Sequence, residues 1–234
     1  MMRAPRDATT RQAHHRPYRR FGLGIAVAAV VVLASWTLVV RPDVTPAEER
    51  LFRVVNTAPD VLWPLLWPPM QLGTIVAPVV VGGAAAAVLR RWRPPAAALI
   101  AGYTAWAAAQ VVKATVVRYR PDALLTDVVL REGAHGLGFV SGHAAIATAL
   151  AATLWPYLST RGRALSAGVV AVVGLGRVYA GAHLPLDVVG GIAIGALAGM
   201  VTNALLGLPQ TRRQAHATAS SSALGPHEPE PRSR

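Results

Sequence analysis

Long apolar segments, separated by short segments that contain arginine, constrain the fold of this chain more than any other feature of its sequence. A helix needs about 20 mostly apolar residues to cross the hydrocarbon core of a bilayer. We therefore predict an all-α polytopic membrane protein with six transmembrane helices in a bundle. The predicted spans lie at residues 21–40, 71–89, 96–117, 141–158, 164–179 and 186–208.

The composition supports a membrane protein over a soluble domain. Hydrophobic residues make up 53% of the 234 residues and charged residues only 15%, which is unusual for a soluble chain of this length. The net charge of +12 is spread between the apolar segments, so a nucleic-acid partner is not expected. Because cysteine is absent, disulfides, thiol nucleophiles and zinc–thiolate sites are excluded.

Both ends of the chain are polar. Residues 1–20 contain six arginines and predict a disordered basic arm, and residues 210–234 predict a disordered tail. The membrane domain is expected between them, at 21–209. The first apolar segment could be read as a signal peptide, but it is long and has no small-residue cleavage site, which favours an uncleaved anchor.

A short interfacial helix is predicted between the first two spans. Thr45 is a good N-cap, Pro46 suits the first helical position and Glu48 follows the cap by three residues. Trp63 and Trp67 then suit a membrane boundary, where indole rings lie at the level of the headgroups.

The arginines predict the orientation, because short cytoplasmic segments carry an excess of basic residues. Both termini should lie in the cytoplasm and the protein in the plasma membrane. The excess is modest, since the opposite segments also hold arginines. The predicted cytoplasmic arginines outside the arm are Arg90, Arg91, Arg93, Arg161, Arg163, Arg212 and Arg213.

Lys113 is the single lysine of the chain and lies near the end of the third predicted span. Arg120 follows after seven residues, close to two helical turns, so both side chains are expected on one helix face before Pro121 ends the helix. A cation pair of this kind could bind phosphate. Taken alone, Lys113 could also be a lysine that extends from a helix end to the membrane surface.

Two further segments carry polar residues at the same predicted boundary. Ser141, Gly142 and His143 begin the fourth span, where free backbone N–H groups favour an anion. Between the fifth and sixth spans, Arg177 is followed by His183 and Asp187, whose carboxylate could orient and support a nucleophilic imidazole. The alternatives are an ordinary capped helix with an incidental histidine, and a capping aspartate beside an interfacial histidine.

The predicted topology brings all three segments to the extracytoplasmic boundary. Their spacing resembles the three-part signature of the type 2 phosphatidic acid phosphatase superfamily, which includes lipid phosphatases and haloperoxidase-like proteins. Two positions depart from that signature. Val140 stands where the family usually has proline, and Gly176 where it usually has serine.

The resemblance implies a six-helix bundle and a phosphatase with its site on the extracytoplasmic side. His183 would attack phosphorus to give a phosphohistidine, Asp187 would support it, and His143 would protonate the leaving oxygen. No metal or other cofactor is implied. The phosphate would be bound by Lys113, Arg120, Ser141, Gly142 and Arg177.

Because such a site lies at the bilayer surface, we expect a lipid phosphate or a polyprenyl diphosphate, such as undecaprenyl diphosphate, as substrate. The sequence does not choose among these lipids or indicate an oligomeric state. A non-catalytic lipid-phosphate binder, a transport-like protein or a membrane scaffold are alternatives, although binding alone would not need His183 with Asp187.

The loop before residue 141 leaves two questions open. Asp122, Asp127 and Glu132 could form a metal-dependent site, although their spacing matches no ligand motif. His135 could contact substrate or be a solvated loop histidine.

Overall fold

The computed structural model describes residues 8–40, 43–133 and 135–209, with side chains from residue 22 onward. These residues form α-helices and short 3-10 helices joined by turns and by a longer loop between α6 and α7, which confirms the all-α prediction. The helices are α1 (Ala8–Val39), α2 (Pro46–Asn56), α3 (Trp63–Met70), α4 (Ala77–Leu89), α5 (Arg93–Thr115), α6 (Pro121–Leu124), α7 (Gly142–Leu154), α8 (Thr160–Tyr179) and α9 (Pro185–Leu205).

Three helices are long and apolar enough to cross a membrane, namely the Gly22–Val39 part of α1, α5 and α9. The second predicted span, 71–89, contains the 13-residue α4 and a break before it. Asp60–Gly73, on the other side of that break, meets α4 at 78°, and the two together could count as one broken span. α7 has 13 residues, or about 20 Å of helix, and α8 carries three arginines. The count of six crossings therefore stays a prediction.

α1 starts earlier than its apolar segment. Its backbone is helical from Ala8, whereas the sequence predicts a disordered arm over 1–20. A helix formed in an apolar segment can continue into a polar one, because each added residue gains a backbone hydrogen bond without a new nucleation step. Residues 1–7 and the predicted tail at 210–234 lie outside the described residues.

α2 begins as predicted. The Thr45 hydroxyl accepts a hydrogen bond from the backbone N–H of Glu48, and Pro46 occupies the first turn. One face of the helix buries Phe52 and Asn56 against the body of the protein. Asn56 donates to the carbonyls of the 126–133 loop and of α8, so α2 is fixed to the elements around the site.

Close contact between α7 and α9 forms the centre of the bundle. Gly191, Gly195 and Gly199 recur every four residues on α9 and face α7. A Cβ at Gly195 would lie 2.2 Å from the carbonyl oxygen of Ala145, so only glycine permits this approach. Small residues at such spacing let membrane helices pack backbone to backbone. The start of α7 is thereby held against the start of α9.

Candidate active site

An open cavity of about 620 Å³ lies where the ends of α5 and α8 meet the start of α7. Residues 73–75, at the break between α3 and α4, and the loop residues 132–133 and 135–137 complete its walls. All three segments singled out in the sequence contribute to it. Its titratable lining residues are Lys113, Arg120, Glu132, His135, His143, Arg177 and His183.

Lys113 and Arg120 reach the cavity from different elements. α5 ends at Thr115 and Val116 is already extended, so the prediction that both cations share one helix face is wrong. The Thr115 hydroxyl donates to the carbonyls of Val111 and Val112, within the last turn of the helix. Arg120 lies beyond, as the extended residue before α6.

The two cations also differ in how they are held. Lys113 makes no hydrogen bond or ion pair with the described residues, so its ammonium group is free for a ligand. Arg120 is buried, and its guanidinium donates to the backbone carbonyls of His135, Gly136 and Ala182 at 2.6 to 3.1 Å. Burial and the nearby Arg177 lower the pKa of Arg120. Two of its N–H groups remain unused.

Arg177, in the last turn of α8, is only 4% exposed. Its Nη1 donates to a carboxylate oxygen of Glu132 at 2.7 Å, while its Nε has no hydrogen-bond partner in the described residues. A buried donor of this kind is usually paired by an ordered water, an ion or a bound ligand. The sequence singled out Arg177 but did not predict that Glu132 would pair with it.

His183 and Asp187 lie side by side beneath the cavity, and both are buried. Gly181, with φ of 75°, turns the chain after α8, and α9 begins at Pro185 as predicted. His183 Nδ1 lies 3.5 Å from Asp187 Oδ2, too far for a well-formed hydrogen bond. Because Nδ1 faces the carboxylate and His183 lines the cavity, Nε2 is the atom directed at a ligand.

His183 is neutral near physiological pH. Burial lowers its pKa to about 4, although the adjacent Asp187 opposes the shift. A neutral imidazole with a free nitrogen toward the cavity can act as a nucleophile.

The start of α7 presents Gly142 and His143 to the cavity, but not Ser141. The Ser141 hydroxyl instead accepts a hydrogen bond from Ala144 N–H at 3.4 Å and caps the helix. Gly73 lies directly against His143, since a Cβ at Gly73 would be 2.6 Å from the carbonyl oxygen of His143. The imidazole of His143 makes no hydrogen bond with the described residues, so it is available to a ligand.

Two buried residues behind the cavity are absent from the predicted site. Arg118 pairs with Glu48 at 2.7 Å and with Asp187 at 2.8 Å. Burial opposes the charge of Arg118, but the two carboxylates outweigh burial and raise its pKa. Arg118 lies two residues before Arg120, and Glu48 lies on the amphipathic α2. No local sequence pattern joins them.

The two departures from the family signature are both packed tightly. A Cβ at Gly176 would lie 2.4 Å from Met70 Sδ, so Met70 fills the space a serine would need. Val140 is fully buried and contacts α9 at Gly190. Neither residue lines the cavity.

The three loop carboxylates do not converge. Glu132 contacts Arg177, whereas Asp122 and Asp127 are exposed. Within residues 8–40, 43–133 and 135–209, no group of three histidine, aspartate or glutamate side chains is placed to hold a metal ion. His135 lines the cavity, and its backbone carbonyl accepts hydrogen bonds from the Arg120 guanidinium.

This arrangement suits a tetrahedral oxyanion. Three basic side chains and three histidines line the cavity, and a helix N-terminus opens onto it. Phosphoryl transfer needs alignment and charge neutralisation, and both are available here.

Comparison with known proteins agrees with this geometry. The sequence model of the PAP2 superfamily matches residues 70–208. The chain is similar to the crystal structure of LpxE from Aquifex aeolicus, with 25% sequence identity and a TM-score of 0.63. The match covers 69% of this chain and 97% of LpxE. It shares its fold with a transmembrane PAP2-type phosphatidylglycerolphosphate phosphatase from Bacillus subtilis, with 20% identity, a TM-score of 0.65, and coverage of 77% and 94%. No curated protein sequence matches the chain.

Proposed function

The chain belongs to the PAP2 superfamily, and on that premise we propose that it is a membrane lipid phosphatase that acts through a phosphohistidine intermediate. The observation that supports this most directly is the pairing of a carboxylate-backed histidine with three cations around one cavity. Cations alone would suffice for binding. A supported histidine among them is the arrangement that nucleophilic catalysis requires.

Phosphate binding comes first in the proposed mechanism. The ammonium of Lys113 and the unused N–H groups of Arg120 and Arg177 neutralise the equatorial oxygens. The N-terminus of α7 at Gly142 adds the positive end of a helix dipole. Ser141 supports this seat indirectly, by capping the helix.

His183 is the proposed nucleophile. Its Nε2 forms a bond to phosphorus while the bond between phosphorus and the lipid oxygen breaks. Asp187 accepts the Nδ1–H of the ring and stabilises the positive charge that the ring acquires. The 3.5 Å separation should shorten in this step, since catalytic hydrogen bonds are often long in free proteins.

His143 is the proposed acid and base. It donates a proton to the leaving lipid oxygen in the first step. In the second step it accepts a proton from the water that attacks phosphorus, which breaks the phosphorus–nitrogen bond and releases inorganic phosphate. Its imidazole makes no hydrogen bond with the described residues, so it can serve both transfers.

The proposed substrate is a lipid phosphate or a polyprenyl diphosphate whose headgroup enters from the extracytoplasmic surface of the plasma membrane. The position of the cavity at the ends of apolar helices supports this class. One protein of the same fold is a phosphatidylglycerolphosphate phosphatase, which makes a phosphate monoester on a glycerophospholipid the first substrate to test.

The decisive test is phosphate release by the purified protein in liposomes, with polyprenyl diphosphates and phosphorylated glycerophospholipids, with and without EDTA. Acid quenching with labelled substrate should trap phosphoprotein. We expect the parent protein to release phosphate in the presence of EDTA and to yield labelled phosphoprotein. We expect His183→Ala to show neither phosphate release nor labelled phosphoprotein. Parent-level release by His183→Ala would contradict the nucleophile, and binding without release or label would identify a non-catalytic lipid-phosphate binder.

A further inference from the structure

Arg118 and Glu48 form a buried ion pair that touches the His183–Asp187 pair from outside the cavity. Arg118 is 7% exposed and Glu48 is 6% exposed. The guanidinium donates through Nη2 to Glu48 Oε2 at 2.7 Å and through Nη1 to Asp187 Oδ1 at 2.8 Å. Neither Arg118 nor Glu48 lines the cavity, so neither can contact the phosphate there.

The two oxygens of Asp187 have different partners. Oδ1 accepts from Arg118, whereas Oδ2 accepts from the backbone N–H of Leu184 at 2.9 Å and faces His183 Nδ1. Asp187 has no solvent exposure. A fully buried carboxylate without a cationic partner tends to take up a proton or turn toward another donor. Arg118 therefore satisfies the oxygen that does not face the histidine.

Glu48 also connects this pair to the backbone of α9. Its Oε1 accepts from the backbone N–H of Leu186 at 3.0 Å, a donor in the first turn of α9 that has no partner within the helix. The same carboxylate holds Arg118, so α2, the segment after α5 and the start of α9 meet at one residue.

We infer that Arg118, held by Glu48, is a positioning residue that fixes the Asp187 carboxylate against His183 Nδ1 and keeps His183 in the tautomer with a free Nε2. The tautomer of a histidine is set by the group that its other nitrogen meets. His183 Nδ1 meets Asp187 Oδ2 at 3.5 Å, so the tautomer depends on where this carboxylate is held. The consequence for turnover rests on the proposed function, but the consequence for the tautomer does not.

The tautomer can be measured directly. In protein labelled with ¹⁵N-histidine and held in detergent micelles, NMR should show His183 protonated at Nδ1 and free at Nε2, with His183→Gln used for assignment. Arg118→Met should give a mixture of tautomers, and Arg118→Lys an intermediate spectrum. Glu48→Gln, which keeps the shape of the side chain, should shift the spectrum in the same direction.

Matched controls come from the neighbouring ion pair on α2. Glu49 and Arg53 are paired at 2.8 Å and are about one-third exposed. Glu49→Gln and Arg53→Met therefore make the same chemical changes on the same side of the protein without touching Asp187. Both variants should leave the NMR signals of His183 and the rate of phosphate release unchanged.

Kinetics supply the second readout. Because misplacement of a reacting group by about 1 Å can cost about 100-fold in rate, Arg118→Met should lower kcat on the order of 100-fold. The inhibition constant of inorganic phosphate should stay within about twofold of the parent value, since the cations of the cavity are intact. Loss of phosphate affinity together with kcat would overturn a positioning role.

The outcomes separate this inference from the proposed function. An unchanged His183 tautomer in Arg118→Met overturns the inference, even where the parent is an active phosphatase. A changed tautomer supports it, even where the parent releases no phosphate from any lipid. Where Arg118→Met does not fold, Glu48→Gln and Arg118→Lys decide by the same criteria.

Discussion

Glu132 and Arg177 are joined by a 2.7 Å ion pair in the wall of the candidate active-site cavity. Arg177 is nearly buried, whereas about one-third of the Glu132 side chain is exposed. The Glu132 carboxylate thus accepts from an Arg177 N–H group that, in the proposed function, would otherwise be open to a phosphate oxygen. Binding of phosphate to Arg177 must weaken this pair or share the guanidinium with it.

Replacement of Glu132 by glutamine should tighten phosphate binding. The inhibition constant of inorganic phosphate should fall by about fivefold at most, because a partly exposed ion pair contributes up to ~1 kcal/mol. Asp127→Asn is the matched control on the same loop, and asparagine tolerates the positive φ of 56° found there. An inhibition constant that rises in Glu132→Gln would show that the carboxylate assists the binding of phosphate.

The pKa of His183 makes a pH prediction. Burial lowers it to about 4, so an NMR titration of labelled histidine should show His183 neutral at pH 6 and protonated below about 4. The unfolded chain takes up this proton near pH 6.5. Because the folded state binds the proton less readily, stability should fall as pH decreases from about 6.5 to about 4. A titration midpoint near 6.5 would contradict the burial of His183.

Lys113 and Arg120 should respond differently to truncation. Lys113→Met should weaken phosphate binding about tenfold or more with little change in thermal stability, since Lys113 makes no hydrogen bond with the described residues. Arg120→Met should also weaken phosphate binding about tenfold or more. In addition it should destabilise the fold by about 2 kcal/mol, because it leaves the backbone carbonyls of residues 135–136 and Ala182 without a hydrogen-bond donor. Phosphate inhibition and thermal unfolding measured on both variants would test this difference. Equal melting temperatures would contradict it.

The glycines of α9 should tolerate no added methyl group. Gly195→Ala should destabilise the protein by about 1–3 kcal/mol, because the new Cβ would lie 2.2 Å from the Ala145 carbonyl oxygen. Gly168→Ala, at an exposed position of α8 with nothing within 4 Å of a new Cβ, is the matched control and should be neutral or slightly stabilising. Unfolding in detergent measures both. Equal effects would show that the α7–α9 contact is looser than described.

The orientation of the bundle can be tested with reporter fusions. Tyr119 lies between α5 and α6, near the cavity, and Arg163 lies in the first turns of α8. A reporter placed after Tyr119 should be active outside the cytoplasm, and one placed after Arg163 inside it. Assignment of both to one compartment would refute the predicted topology.

Local patterns in the sequence predicted features that depend on few residues. Thr45 and Pro46 begin a helix as expected, and so does Pro185, because capping and proline geometry act over a single turn. Lys113, His143, Arg177 and His183 meet because each lies at the same end of the predicted bundle.

Pairings between distant segments could not be predicted in the same way. Glu48 and Arg118 are 70 residues apart, and Glu132 and Arg177 are 45 apart. Which carboxylate meets which arginine depends on how α2 and the 125–133 loop pack, and no periodicity encodes that. The bend of 78° between Asp60–Gly73 and α4 is a further feature that depends on packing between segments.

The contact between Met70 and Gly176 has a consequence for the history of the family. Met70 fills the space that a serine side chain, usual at this position of the family signature, would need, so a glycine-to-serine change at 176 would collide with the thioether. The two positions should therefore have changed together. Among related sequences, serine at the position of Gly176 is expected with a small residue at the position of Met70, and glycine with a large one. An alignment of relatives would show whether this pair records a compensated substitution next to Arg177.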